Sequence, residues 1–192
     1  MKGKRVFYKL KRLAFYFVMF SFLGWLWEVF LSFITSGGFV NRGTLFGPWT
    51  PIYGFGGIAI IILSKKLKKP WQLFIGAFLI SGLLEYFTAT FLELLHSAKW
   101  WDYSMLYFNI HGKICLEYLL VFAIVACLVV YFIVPKLDKL FKKLDSKIMT
   151  MALIVIIISI CIDFLFSIIN PNSAAVVGGL VPRVGIEPAL YP

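Results

Sequence analysis

Long apolar runs alternate with short polar connections along this chain. The first run covers about 13–34, from Leu13 to Ile34. Four more follow at about 48–64, 71–95, 114–134 and 148–169. A helix rises ~1.5 Å per residue and a bilayer core is ~30 Å thick, so about 20 apolar residues make one crossing. Runs one, three, four and five reach that length. The second does so only if Gly47 to Pro51 is counted in. The pattern predicts an all-α, polytopic membrane bundle of five transmembrane helices. It divides the chain into a basic segment 1–12, a single transmembrane domain 13–170 and a tail 171–192. Run one is too long for a signal-peptide core and no A-x-A site follows it, so it reads as a retained helix. The tail is dense in Gly and Pro without periodicity, which predicts disorder.

Composition agrees with the pattern. Hydrophobic residues make up 61% of the 192 and charged residues 15%, against about 45–50% and 25% in soluble domains. The net charge of +10 raises nucleic-acid binding as an option, and its placement removes it. Fifteen of the nineteen basic residues lie in 1–12, 65–69 and 136–147. Basic charge confined to alternate connections is the positive-inside pattern. It puts the N-terminus inside and the C-terminus outside, in a multi-pass protein of a cell membrane of the bacterial plasma type. Such segments attract anionic lipid. The linker Pro135 to Lys147 sets Leu137, Leu140, Phe141 and Leu144 on one face and lysines opposite. That predicts an amphipathic helix lying on the bilayer surface, or a docking helix for a cytoplasmic partner. Cys115, Cys127 and Cys161 form no disulfide framework and read as small buried residues.

Carboxylates within the runs carry the candidate chemistry, because an acid at membrane depth usually faces a bundle interior or water-filled cavity. Glu28, Glu85 and Asp163 all lie roughly 21–24 Å from the basic ends of their runs at ~1.5 Å per residue. Glu93 and Glu117 lie near the opposite ends of theirs. Five acids in one half of the membrane predict an outward polar pocket. The competing role is interhelical hydrogen bonding that locks the bundle. The first outer loop adds Asn41 and Arg42 among Gly and Pro, with Arg42 able to pair with Glu28 or Asp102 or to bind an anion. The second holds Trp100, Trp101, Asp102 and Tyr103, the tryptophans reading as interface anchors. Lys113 and Glu117 stand at i, i+4 and are expected to neutralise each other. The ion or substrate pocket is therefore drawn from Glu28, Asn41, Arg42, Glu85, Glu93, Asp102, Lys113 and Glu117. Glu93 and His96 stand at i, i+3, a spacing used in di-metal bundles. Those sites need two such pairs and this chain has one, so no metal is expected there. Nothing calls for a cofactor. There is no P-loop and no G-x-S-x-G or H-E-x-x-H hydrolase motif.

Several strings together carry a family resemblance. They are Gly24-x-x-x-Glu28, Phe39-Val40-Asn41-Arg42-Gly43, Gly47-Pro48, and Pro51-Ile52-Tyr53-Gly54. Beyond them come Glu85-Tyr86 with Glu93, Trp101-Asp102-Tyr103-Ser104, Phe108-Asn109 and Gly112-Lys113-Ile114-Cys115-Leu116. The chain resembles the putative ABC-transporter type IV family, the CmpB-type membrane proteins described as ABC-transporter permeases. Lys113 stands where the family pattern leads one to expect Arg. The resemblance implies transport, with a separate ATP-binding subunit. Two functions of other classes also fit the residues. One is a membrane-embedded enzyme acting on a lipid or cell-wall precursor, with His96 and His111 in acid–base roles. The other is a non-catalytic membrane scaffold or sensor. The partners expected are the bilayer, the ATP-binding subunit and further copies of the chain, with no nucleic acid.

Overall fold

Each apolar run folds as a helix, because a backbone in lipid must satisfy its own hydrogen bonds. The computed structural model describes residues 2–174 and 176. Its elements are α1 (Lys2–Ser36), α2 (Pro51–Lys66), α3 (Pro70–His96), β1 (Asn109–Ile110), β2 (Ile114–Cys115), α4 (Leu116–Leu128), α5 (Val134–Leu144) and α6 (Lys147–Ile169). A π-helical turn, Val129–Ile133, joins α4 to α5. Pro135 follows it and lacks the N–H that a regular turn would use, so the wider turn absorbs the break. Pro51 and Pro70 open α2 and α3, where a missing N–H costs nothing. Ser97 closes α3 in the left-handed region at φ 53°. Ser146 caps α6 by accepting from the Met149 amide at 3.2 Å.

Four helical stretches are long and apolar enough to cross a membrane: Lys2–Thr35, Pro70–His96, Leu116–Leu144 and Lys147–Ile169. The second apolar run yields the 16-residue α2, about 24 Å long at ~1.5 Å per residue. Gly47 to Thr50 stay outside it. α2 lies between α1 and α3, α4 packs on α3, and α6 returns to α1.

The core is narrow and the outside is greasy. Ile60, Leu73, Ala77, Ala123 and Ala126 interlock α2, α3 and α4. Small residues there let helices approach closely, as membrane packing requires. Trp71, Ile75, Leu79, Leu83, Phe87, Phe91 and Leu94 form an exposed stripe along α3. Exposed leucines and phenylalanines in that number suit contact with lipid rather than water. Of the three free cysteines, Cys115 is buried, whereas Cys161 is exposed on α6 and corrects the expectation of a buried residue.

The basic end has its own core, built from Phe15, Tyr16, Phe20, Ile61, Leu137, Phe141 and Leu153. This changes the picture of the amphipathic linker. Its Leu137 and Phe141 are covered by α1 and α6, and only Leu140 and Leu144 of that face remain exposed. Asp138 fastens it: Arg12 donates to both its oxygens at 2.7 and 2.6 Å, and the Tyr16 hydroxyl donates as well. Lys11 donates to Asp145 at 2.5 Å. α5 is therefore docked on the bundle.

The predicted disordered tail lies mostly outside the described residues. Its first residues are ordered against loop one. Asn172 is buried, its amide side chain donating to the Asn41 carbonyl at 2.7 Å and its N–H to that of Thr44 at 2.9 Å.

Candidate functional site

The sequence-derived pocket residues separate into distinct groups at the end of the bundle opposite the lysines. The centre of the first is Glu28 on α1 and Glu85 on α3. Gly24 leaves room one turn before Glu28: a Cβ there would overlap the Tyr53 ring. Tyr53 at the start of α2 thus lies flat against α1 and donates its hydroxyl to Glu28 Oε1. Arg42 Nη1 stands 3.7 Å from Glu28 Oε2, so of its two predicted acid partners Arg42 takes Glu28. Glu85 is only 7% exposed. Its Oε1 accepts from the Tyr103 hydroxyl at 2.9 Å. Its Oε2 is buried with no hydrogen-bond partner among the described residues. The two carboxylates are close enough to act on each other electrostatically, and both act on Tyr53 and Tyr103. Tyr103 stacks on Tyr118 of α4, with centroids 5.0 Å apart. Burial, reinforced by Glu85, pushes its hydroxyl well above the ordinary tyrosine range.

A second group surrounds Lys113. Its ammonium donates to Glu93 at 2.8 Å and Thr90 Oγ1 at 3.0 Å, and lies over the Tyr86 ring. The expected pairing with Glu117 is not made. Lys113 precedes β2 and α4 begins only at Leu116, so the two residues never share a helix face. Glu117 is exposed in the first turn of α4, where a negative charge suits the helix dipole. Asp102 forms a third group. Lys99 donates to it at 2.8 Å and the Ser104 amide at 2.9 Å. These bonds, the Lys99 one foremost, lower the Asp102 carboxyl to about 2.

Asn41 and the tryptophans hold loops. Trp25 donates to Asn41 Oδ1 at 2.6 Å, and Asn41 Nδ2 donates to the Phe46 carbonyl at 2.9 Å. Trp100 is buried and donates to the Asn172 carbonyl at 3.0 Å, while Trp101 donates to that of Lys113 at 2.9 Å. Burial of Trp100 corrects the expectation that it anchors at the interface. Both indoles satisfy carbonyls that folded loops would leave bare. Asp163 accepts from the Phe46 and Gly47 amides at 3.1 and 2.8 Å and from the Trp49 indole at 2.8 Å, which is a fastening role.

His96 is buried against Trp100, and His111 bonds Tyr86 at 2.9 Å. Each has its own neighbours. Glu93, the other residue of the metal spacing, is engaged by Lys113. Among the described residues no group of three or more His, Cys, Asp or Glu side chains could hold a metal ion. Sequence reasoning missed Tyr53 and Tyr103. The signal lay in the Pro51-Ile52-Tyr53-Gly54 and Trp101-Asp102-Tyr103-Ser104 strings, whose tyrosines prove to be the partners of Glu28 and Glu85.

The family model described as "Putative ABC-transporter type IV" matches residues 15–168, most of the chain and all the groups above. No curated protein and no solved structure matches it.

Proposed function

Because the chain belongs to the putative ABC-transporter type IV family, we propose that it is the membrane-spanning, permease-like component of a transport system. In this reading five helices cross the bilayer, α2 included, with the N-terminus and the lysine-rich end on the cytoplasmic side. The positive-inside distribution supports that orientation. The position of α2 between two crossing helices supports its crossing. With no P-loop in the chain, energy from ATP would come from a separate subunit. The lysine face of α5 lies on the side where that subunit acts.

The polar centre at Glu28, Tyr53, Glu85 and Tyr103 is the cation- or proton-binding element of this component. One observation carries the assignment: Glu85 presents a buried carboxylate oxygen without a partner among the described residues. A charge in low dielectric needs a counter-charge. Arg42 supplies one to Glu28, and no cation of the described residues pairs with Glu85. A transported or coupling cation would complete the group.

The test uses purified protein in proteoliposomes on a solid-supported membrane, challenged in turn with H⁺, Na⁺ and K⁺ steps. One of these ions is expected to give a charge movement that Glu85→Gln reduces at least tenfold, with yield and elution profile unchanged. A movement unaffected by Glu85→Gln, or none with any ion, overturns the site. If Glu85→Gln and Arg42→Ala both fail to accumulate, the residues are structural. Purification from native membranes is expected to bring down a stoichiometric ATP-hydrolysing subunit. A solitary chain would overturn that part of the reading.

A further inference from the structure

α4 does not begin where α3 ends. Leu119, in the first turn of α4, packs against Gly82 of α3. α3 itself continues to His96, so it overshoots the start of α4 by roughly 15 Å at ~1.5 Å per residue. The connection 97–115 descends along that overshoot. Tyr103 reaches Glu85, His111 reaches Tyr86 and Lys113 reaches Thr90. The β1–β2 hairpin therefore sits beside the Glu85–Thr90 stretch of α3, below the top of that helix.

Its outer surface is apolar. Met105, Tyr107 and Phe108 are 93%, 83% and 75% exposed, and Ile110 is exposed beside them. At the same height Phe87 and Phe91 belong to the exposed stripe of α3. Across the strands and the turn, much of the backbone is answered from within the loop. Asn109 pairs with Cys115 and Ile110 with Ile114. The Leu106 amide donates to Tyr103 at 2.9 Å, that of Lys113 to Ile110 at 3.0 Å and that of Leu116 to Phe108 at 3.2 Å. The Asn109 side chain donates to the Leu106 carbonyl at 2.7 Å and accepts from the Gly112 amide at 2.9 Å. A non-helical segment survives in hydrocarbon only when its polar groups are answered by protein. A loop bathed in water has no such need and would not display three large apolar side chains together.

We propose that residues 105–110 form a bilayer-seated wedge, with Met105, Tyr107 and Phe108 in contact with the acyl chains of the leaflet at the loop end. The occupant of this surface is phospholipid. The inference rests on the membrane-spanning reading and is independent of what Glu85 binds. It makes the second loop a re-entrant element that seals Tyr103 and Glu85 from the side.

Two readouts on the full chain test it. In the first, benzoylphenylalanine replaces Phe108 and native membranes are irradiated. Phospholipid adducts are expected by mass spectrometry. A cross-linked dimer, a cross-link to another protein or no adduct overturns the proposal. In the second, sheared membranes carrying Met105→Cys or Gly38→Cys are treated with a membrane-impermeant maleimide, with the parent protein as background. Gly38→Cys is expected to react at least tenfold faster, and detergent to remove most of the difference. Equal rates in membranes overturn the proposal. Tyr107→Cys repeats the measurement should Met105→Cys accumulate poorly, and loss of the chain from the membrane fraction would instead indict the membrane reading.

Discussion

Asp163 accepts three hydrogen bonds from loop one: two backbone amides and the Trp49 indole. Removing the acceptor costs the part-buried Gly47 amide and Trp49 indole their partner, at about 1 kcal/mol for a hydrogen bond lost. Asp163→Ala is expected to lower the thermal unfolding midpoint in detergent and to shift tryptophan emission to the red, with Asp163→Asn intermediate. An unchanged midpoint in Asp163→Ala would show that the loop holds without it. At this scale the sequence is informative about where the acids lie and, beyond the Arg42–Glu28 pair, says little about what they touch. The depth of Glu28, Glu85 and Asp163 follows from counting residues along helices. Apart from Arg42 on Glu28, their partners are backbone amides, tyrosines and an indole, which carry no charge pattern to read. Lys113 illustrates the hazard: the i, i+4 rule presumes one helix, and the helix begins three residues too late.

Among the elements, α1 and α2 touch through glycines. A Cβ at Gly54 would overlap the Ser21 hydroxyl and stand 2.7 Å from the Phe17 ring, whereas one at Gly56 meets only Leu84 at 3.5 Å. Gly54→Val is expected to reduce the monodisperse yield on size-exclusion chromatography severalfold, while Gly56→Ala elutes like the parent. Equal behaviour would mean that the helices separate readily. The long helices were plain from apolar run length alone. α2 was less so, because Gly47 to Thr50 have the composition of the run without its helical backbone. The amphipathic pattern of α5 is plain in its sequence, and the covering of Leu137 and Phe141 by neighbouring helices is not. A hydrophobic face looks the same in sequence whether lipid or a neighbouring helix lies against it.

Over the whole molecule, the proposed orientation places Gly3 and Gly38 on opposite sides of the membrane. In sealed right-side-out vesicles, Gly38→Cys is expected to react with an impermeant maleimide and Gly3→Cys to react only after permeabilisation. The reverse result would invert the topology. The proposed orientation rests on charge placement, which is additive along the chain. The grouping of the polar residues was not legible, since it depends on how four helices rotate about their axes.

The Arg12–Asp138 pair joins residues 126 positions apart, and that separation has a meaning in time. Ribosomes add ~5–20 residues per second, so α1 enters the membrane about 6–25 s before its counter-ion is even synthesised. During that interval the guanidinium has the Tyr16 hydroxyl, one turn along the same helix, as its partner. Completion of α5 supplies the counter-charge.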